Sequence, residues 1–214
     1  MIKAIIFDFD GVIAESVDIK TKAFAKLFEQ EGEEIVKRVV DYHLSNTGVS
    51  RYEKFKHIYK EMLKKTLTEV EFQGLCNKFK NIVVDSVVKA PFVRGAKEFL
   101  ENYVSKYKFF IASATPQDEI EDIVTQKQLL RYFMGVYGAP KKKTDIAKEI
   151  ISDNNLLPEE IVYIGDALSD YEAANTNSIN FIARINNNEH IFDDIYCIKM
   201  ENLVNLEDIL ESSF

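Results

Sequence analysis

The sequence has 214 residues, of which 46% are hydrophobic and 29% are charged, a composition typical of a globular protein. Its formal net charge of −8 disfavours nucleic acid as a partner, because phosphate backbones attract basic surfaces. No apolar run has the length of a membrane span, and the N-terminus lacks the basic start and long apolar middle of a signal peptide. We therefore expect a cytoplasmic protein with no membrane partner, and a monomer by default. Cys76 and Cys197 have no metal-ligand or redox spacing, which predicts free buried thiols.

The first predicted element is a buried strand that ends in two carboxylates. Ile5, Ile6 and Phe7 form an apolar run, and Asp8, Asp10 and Gly11 follow it. Two residues apart on an ideal strand, the carboxylates point the same way, and about 4 Å apart they repel by roughly 4 kcal/mol at an effective dielectric of 20. Such a pair needs a cation, a shared proton or separation. The alternative is two solvated residues where a strand meets a loop.

Residues 15–90 have a helical hydrophobic pattern. Apolar residues recur at spacings of three and four, and two capping boxes, Ser50 with Glu53 and Thr68 with Glu71, begin two of the predicted helices. We expect a compact all-helical insertion that ends before Pro91.

Strand patterns then resume and alternate with helices. Further strands are predicted over residues 109–113, 136–140, 161–164, 179–183 and 195–198, and a terminal helix over 203–210. Thr115 followed by Pro116 predicts a helix N-cap. This alternation predicts an α/β protein with a doubly wound parallel sheet, whose ligands bind at the carboxyl ends of the strands.

Polar residues follow three of these strands, as they follow the first. They are Ser113, the lysine run 141–143, and Asp166 with Asp170 four residues later. Ser113 is either an anion ligand beside a helix N-terminus or only a cap. The lysines oppose the macrodipole of the helix that follows them, so they are either solvated or directed at an anion.

These motifs, in this order, resemble the haloacid dehalogenase superfamily of phosphohydrolases. The match consists of Asp8-Phe-Asp10-Gly11, Ser113 at a strand end, Lys143 before a helix, and Gly165-Asp166 followed by Asp170. The layout is similar to the phosphoglycolate phosphatase and β-phosphoglucomutase branch. The resemblance implies a Rossmann-like catalytic core over residues 1–14 and 91–214, and a mobile helical cap over residues 15–90.

The resemblance also implies a mechanism. Asp8 would be the nucleophile that forms an aspartyl phosphate, and Asp10 the general acid and then base, with a pKa raised by the nearby charge of Asp8. Mg²⁺ would be held by the Asp8 carboxylate, the Asp10 backbone carbonyl and Asp166, with Asp170 counted in the metal site as an orienting residue. Ser113, the N–H of Ala114 and Lys143 would bind the phosphate. The expected function is a Mg²⁺-dependent phosphatase for a small phosphorylated metabolite.

Several alternatives remain open at this stage. Lys141 is the second candidate for the phosphate-binding lysine. A phosphosugar mutase has the same core residues, but Lys20 stands where the mutases carry a cap-coupling histidine. A catalytically retired binding module is disfavoured by the complete set of site residues, and haloacid dehalogenation is disfavoured by the presence of Asp10. Glu15, Lys20 and Arg51 are candidate specificity residues of the cap, although Arg51 fits a solvated first-turn residue of a helix better.

Overall fold

The computed structural model describes residues 1–185 and 189–214. Six parallel strands in this part of the chain form one sheet, in the order β3-β2-β1-β4-β5-β6. The strands are β1 (Ala4–Phe7), β2 (Lys108–Pro116), β3 (Phe133–Ala139), β4 (Ile161–Gly165), β5 (Asn180–Arg184) and β6 (Ile198–Met200). The order reverses at β1, which lies between β2 and β4, as it does in doubly wound sheets. The predicted α/β class with a doubly wound parallel sheet is confirmed.

Helices connect the strands, and the longest connection, between β1 and β2, contains helices joined by loops. Among the described residues, five α-helices lie between β1 and β2, and four follow β2. They are α1 (Val17–Leu27), α2 (Glu33–Ser45), α3 (Arg51–His57), α4 (Glu69–Lys89), α5 (Ala96–Tyr103), α6 (Gln117–Gln126), α7 (Lys143–Asp153), α8 (Leu168–Thr176) and α9 (Leu206–Ser213). Single turns of 3₁₀ helix cover Glu29–Glu31, Leu130–Tyr132, Pro158–Glu160 and Glu189–Phe192, and α3 continues into a π-helical turn, Ile58–Leu63. Among the described residues, no helix combines the length and apolar character that crossing a bilayer requires.

The first four helices after β1, α1 to α4, form what we call the helical segment, residues 17–89. Both predicted capping boxes begin helices there, since Ser50 accepts a hydrogen bond from Glu53 N at the start of α3 and Thr68 and Glu71 cap α4 reciprocally. The treatment of this segment as a separate cap domain with boundaries at 14/15 and 90/91 stays a prediction.

The sheet is buried on both faces, which explains the continuous apolar run of β1. Ile5 and Phe7 belong to the core on one face, and Ala4 and Ile6 to the core on the other, as expected when side chains alternate across a strand. All four residues are completely buried. β1 is therefore a central strand, and Asp8, the residue after Phe7, lies near the middle of the sheet edge.

Aromatic side chains pack the helices of this segment against one another. The ring of Phe24 in α1 lies 5.7 Å from that of Phe55 in α3 and 4.7 Å from that of Phe79 in α4. Burial of such side chains contributes roughly 1.5–3 kcal/mol each. These rings belong to the same apolar cluster as Phe7 of β1, so the segment shares a continuous apolar core with the sheet.

Three local predictions were wrong. β2 extends to Pro116, so Thr115 is a strand residue and not the N-cap of α6, and its hydroxyl bonds to Asp10 instead. β6 begins at Ile198, although the apolar run begins at Ile195, because Ile195 packs on the core from a loop without pairing with β5. Both cysteines are free as predicted, but they are half-buried and not buried.

Candidate active site

The polar residues that follow the strands converge at one edge of the sheet. Phe7, the last residue of β1, pairs with Ile111 of β2 on one side and with Ile164 of β4 on the other. Asp8 therefore lies one residue beyond that level, and Ser113 and Asp166 lie two residues beyond it. The carboxyl ends of parallel strands that flank a switch point form the crevice in which such folds bind ligands.

Gly11 lets the loop after β1 pass close to Asp166. It has a φ of +79°, and a Cβ at this position would lie 2.0 Å from Asp166 Oδ2. Only glycine adopts this conformation without strain and leaves this space. The predicted role of Gly11 as a residue for a sharp turn and a close approach agrees with this geometry.

Three buried carboxylates surround Lys143 at the centre of this edge. Lys143 Nζ lies 2.8 Å from Asp8 Oδ2 and 2.7 Å from Asp170 Oδ1. Carboxylate oxygens of Asp8, Asp166 and Asp170 all lie within 4.8 Å of one another. The remaining oxygens of two of these groups accept backbone hydrogen bonds, from Phe9 N to Asp8 Oδ1 at 2.7 Å and from Ala167 N to Asp170 Oδ2 at 3.2 Å.

Burial and mutual repulsion disfavour the charged forms of these acids. Burial raises the pKa of Asp8 to about 7 even though the Lys143 ammonium lowers it, and burial with the charges of Asp8 and Asp170 raises the pKa of Asp166 well above its usual value. Burial alone would lower the pKa of Lys143, but the carboxylates of Asp170 and Asp8 raise it above its ordinary value. One ammonium therefore does not fully compensate the three acids.

This cluster fits a divalent cation with oxygen ligands. Hard cations such as Mg²⁺ are held by one or two carboxylates, with carbonyl oxygens, waters and substrate phosphates completing the shell. A positive charge placed among Asp8, Asp166 and Asp170 would favour their ionised forms and relieve their repulsion. The chemistry of the donor set is thus the chemistry that the sequence predicted for Mg²⁺.

Asp10 lies outside this cluster and has its own set of partners. Its Oδ1 accepts a hydrogen bond from Ser16 Oγ at 2.6 Å, and its Oδ2 accepts one from Thr115 Oγ1 at 3.1 Å and forms an ion pair with Lys20. Lys20 Nζ also donates to Thr115 Oγ1 at 2.7 Å. The parallel orientation of Asp8 and Asp10 expected for a strand does not apply, because β1 ends at Phe7.

The environment of Asp10 corrects the expectation that its pKa is raised. Burial alone would raise this pKa, but the charge of Lys20 and the hydrogen bonds from Lys20, Ser16 and Thr115 outweigh burial, and the pKa lies below its ordinary value. The physical reason is that Lys20, Ser16 and Thr115 all contact the Asp10 carboxylate directly. Asp10 is held as a carboxylate in this structure.

The other predicted phosphate ligands lie near this cluster. Ser113 is fully buried and its Oγ accepts a hydrogen bond from Thr115 N at 3.1 Å, while the half-buried Ala114 lines the cavity beside Asp8. Of the three lysines, Lys143 is buried in the acid cluster, whereas Lys141 forms an exposed ion pair with Glu149. The geometry thus favours Lys143 over Lys141, and the assignment of these ligands stays a prediction.

The helical segment forms the opposite wall of the cavity. Asp8, Asp10 and Asp166 line it from the sheet edge, and Phe24, His43 and Lys54 line it from α1, α2 and α3. Sequence reasoning missed His43 and Lys54, as it missed Ser16 and Thr115. One signal was available, because Lys54 shares the buried stripe of α3 with Arg51, Phe55 and Ile58 at helical spacing.

Arg51 is not the solvated residue that its first-turn position favoured. It is 5% exposed, and its guanidinium donates two hydrogen bonds to the carboxylate of Glu119 on α6, one of them at 3.1 Å. The guanidinium also lies 4.5 Å from the ring centroid of Phe79. Glu15, a second predicted specificity residue, pairs with Arg184 instead. The Arg51–Glu119 pair connects the helical segment directly to the sheet domain.

Comparison with known proteins places these residues in a family context. The family described as haloacid dehalogenase-like hydrolase matches residues 5–184. A curated relative, a phosphorylated carbohydrates phosphatase from Thermotoga maritima, is 26% identical over 185 residues, which cover 84% of this chain and 83% of the relative.

Solved structures share the fold over nearly the whole chain. A β-phosphoglucomutase from Clostridium difficile has a TM-score of 0.80 and 22% identity, covering 99% of this chain and 96% of its own. A predicted phosphoglycolate phosphatase from Haemophilus somnus has a TM-score of 0.79 and 17% identity, covering 98% of each chain. At these identities the likeness concerns the fold.

The buried Arg51–Glu119 pair generates a stability prediction. Glu119→Gln leaves the guanidinium of Arg51 buried beside a neutral amide, and we expect the free energy of unfolding to fall by about 3–5 kcal/mol. The control is Asp118→Asn, which removes the partner of Lys80 in an exposed pair on the same helix and should cost no more than about 1 kcal/mol. Urea denaturation followed by circular dichroism measures both. Equal losses in the two variants would show that Arg51 gains nothing from its buried partner.

Proposed function

The chain belongs to the haloacid dehalogenase-like hydrolases, and on this premise we propose that it is a Mg²⁺-dependent phosphatase that hydrolyses a small phosphate monoester through an aspartyl phosphate on Asp8. The observation that carries the proposal is the position of Asp8, at the end of the central strand, in contact with Lys143 and within a cluster of buried acids. A nucleophile, a fixed positive charge and a set of metal ligands thus meet at one point.

The residues of this edge have complementary roles in the proposed reaction. The ionised carboxylate of Asp8 attacks phosphorus, and Lys143, Ser113 Oγ and the N–H of Ala114 bind the phosphoryl oxygens and stabilise the charge of the transition state. The carboxylates of Asp8 and Asp166 and the backbone carbonyl of Asp10 would hold Mg²⁺, which would neutralise charge on the phosphoryl group. Asp170 orients Lys143 through the 2.7 Å contact.

Lys20 argues against the mutase alternative, because it stands where the mutases carry a cap-coupling histidine. Its ammonium pairs with Asp10 and keeps that residue as a carboxylate, which is the form that accepts a proton from an attacking water molecule. A mutase must instead protect its aspartyl phosphate from water until a sugar binds. Asp10 as the proton donor to the leaving group remains a prediction of the family resemblance.

A phosphorylated sugar is the substrate class that the curated relative supports. That relative is a phosphorylated carbohydrates phosphatase, and it covers most of this chain. The donors on the wall formed by the helical segment suit a polar leaving group better than an apolar one.

The first test concerns the nucleophile. Asp8→Asn preserves the shape but removes the attacking charge, and we expect kcat to fall by at least on the order of 10³-fold. Release of phosphate from a panel of sugar phosphates and phosphoglycolate is measured with Mg²⁺, and EDTA should abolish it until Mg²⁺ is restored. The control is Asp18→Asn, an exposed aspartate of α1. Near-normal turnover by folded Asp8→Asn, or indifference to EDTA, would refute the mechanism.

The second test chooses among the lysines. Lys143→Ala should lower kcat/KM by clearly more than tenfold, because it removes the ammonium that contacts Asp8. Lys141→Ala and Lys142→Ala should each change kcat/KM by less than about tenfold, or roughly 1.4 kcal/mol. The reverse order would move the phosphate ligand to Lys141 while leaving the reaction class intact.

The third test identifies the acceptor. β-Glucose 1-phosphate is supplied with a catalytic amount of β-glucose 1,6-bisphosphate, and glucose 6-phosphate and free phosphate are followed together. We expect free phosphate to form faster, since Lys20 stands in place of the histidine that couples cap closure to catalysis in the mutases. Glucose 6-phosphate forming well ahead of phosphate would make the enzyme a mutase.

A further inference from the structure

The cavity contains a buried cation whose charge the protein does not neutralise. Three cationic side chains line the cavity from the helical segment, namely Lys20, Arg51 and Lys54. Lys20 pairs with Asp10 and Arg51 with Glu119. Lys54 is 2% exposed, and within the described residues its Nζ contacts an imidazole, His43 Nδ1 at 2.8 Å, and forms no ion pair with a carboxylate.

The imidazole of His43 is neutral, and its second nitrogen, Nε2, is not used by Lys54. Burial, with the charge of Lys54, lowers the pKa of His43 to about 2, so its ring is neutral. When the Lys54 ammonium donates to Nδ1, the ring proton must reside on Nε2, which is then a donor. Nε2 is buried and has no hydrogen-bond partner in the described part of the chain. A buried donor that is left without a partner destabilises the protein.

The ammonium of Lys54 is destabilised where it lies. Burial, followed by the charge of Lys20, lowers its pKa to about 7, although Asp10 and Asp166 raise it. The ring of Phe24, 5.5 Å from Nζ, offers a weak attraction. A buried charge without a countercharge is rarely retained for stability, but an anion that entered the cavity would stabilise it.

The positions of these groups define which part of a substrate they meet. In the function proposed above, the phosphoryl group lies at the sheet edge against Asp8 and Lys143. Lys54 and His43 line the cavity from α3 and α2, and Asp8 lines the same cavity from the sheet edge, so we expect Lys54 and His43 to face the part of the ester that leaves. Arg51 is less suited to this role because both oxygens of Glu119 already occupy its guanidinium.

We propose that Lys54, together with His43, binds a second anionic group, a carboxylate or a second phosphate, on the leaving part of the substrate. This inference rests on the proposed phosphatase function and narrows its substrates to small esters with two anionic groups. It assigns Lys54 to specificity and not to the chemical step, because Lys54 lines the cavity from α3 whereas the nucleophile lies at the sheet edge.

The test uses two pairs of esters that differ in the second anion. Phosphoglycolate is compared with ethyl phosphate, and glucose 1,6-bisphosphate with glucose 6-phosphate. We expect the wild-type protein to prefer the doubly anionic member of one pair by at least tenfold in kcat/KM, and that pair identifies the anion as carboxylate or phosphate. Lys54→Met should abolish this preference, mainly through KM, while turnover of the other member stays within about threefold.

A matched control separates recognition from structure. Lys56→Met alters an exposed lysine of the same helix and should retain the preference. If Lys54→Met fails to fold, Lys54→Gln is used with the same expectation. The inference is refuted if the Lys54 variant loses kcat/KM equally for both members of each pair. It is also refuted if the wild-type protein shows no preference in either pair.

Binding measurements distinguish this inference from the proposed function. The dissociation constants of the four esters are measured by calorimetry in Asp8→Asn, with and without Lys54→Met. If binding shows a preference that depends on Lys54 but the wild-type protein turns over none of the esters, the phosphatase proposal is refuted and the role of Lys54 is not. If the wild-type protein turns the esters over but shows no such preference, the role of Lys54 is refuted and the phosphatase proposal is not.

Discussion

The contact of Lys143 with Asp8 and Asp170 is the interaction on which the active-site edge depends. Three carboxylates buried within 4.8 Å of one another repel, and Lys143 is a cation that hydrogen-bonds two of them. Lys143 begins α7, where the helix dipole opposes a positive charge by about 0.3–1 kcal/mol. Hydrogen bonds between charged groups contribute about 1.5–3 kcal/mol each. The two hydrogen bonds to carboxylates therefore outweigh the unfavourable interaction of Lys143 with the helix dipole.

The fold places the site in a cavity that is lined by the sheet edge and by the helical segment. The sheet edge contributes Asp8, Asp10 and Asp166 to the cavity wall, and the helical segment contributes Phe24, His43 and Lys54. A shared apolar cluster joins the segment to the core, and the Arg51–Glu119 pair connects α3 to α6. Charged groups buried in such a site interact more strongly than they do in bulk water.

Lys20 links the two walls, because it belongs to α1 and its ammonium pairs with Asp10 in the loop after β1. This pair has two consequences of opposite sign for the proposed chemistry. It favours the carboxylate of Asp10, which suits activation of water, and it disfavours the protonated form that a leaving group requires. The position of the helical segment thus bears directly on the protonation state of an expected catalytic residue.

Local patterns in the sequence determined the class of the fold and the residues at the strand ends. Buried strands alternate with amphipathic helices, and both capping boxes begin helices. Asp8, Lys143 and Asp166 follow strands and Ser113 lies near the end of β2, so a parallel sheet must bring them to one edge. These features depend on neighbours in the chain, so the sequence carries them directly. The pKa of Asp10, the burial of Arg51 and the cavity positions of His43 and Lys54 depend on partners 10 to 68 residues away, and only the tertiary structure decided them. Charges and hydrogen bonds act between residues that are close in space, whatever their separation in the chain. No local sequence pattern therefore shows that Lys20 pairs with Asp10.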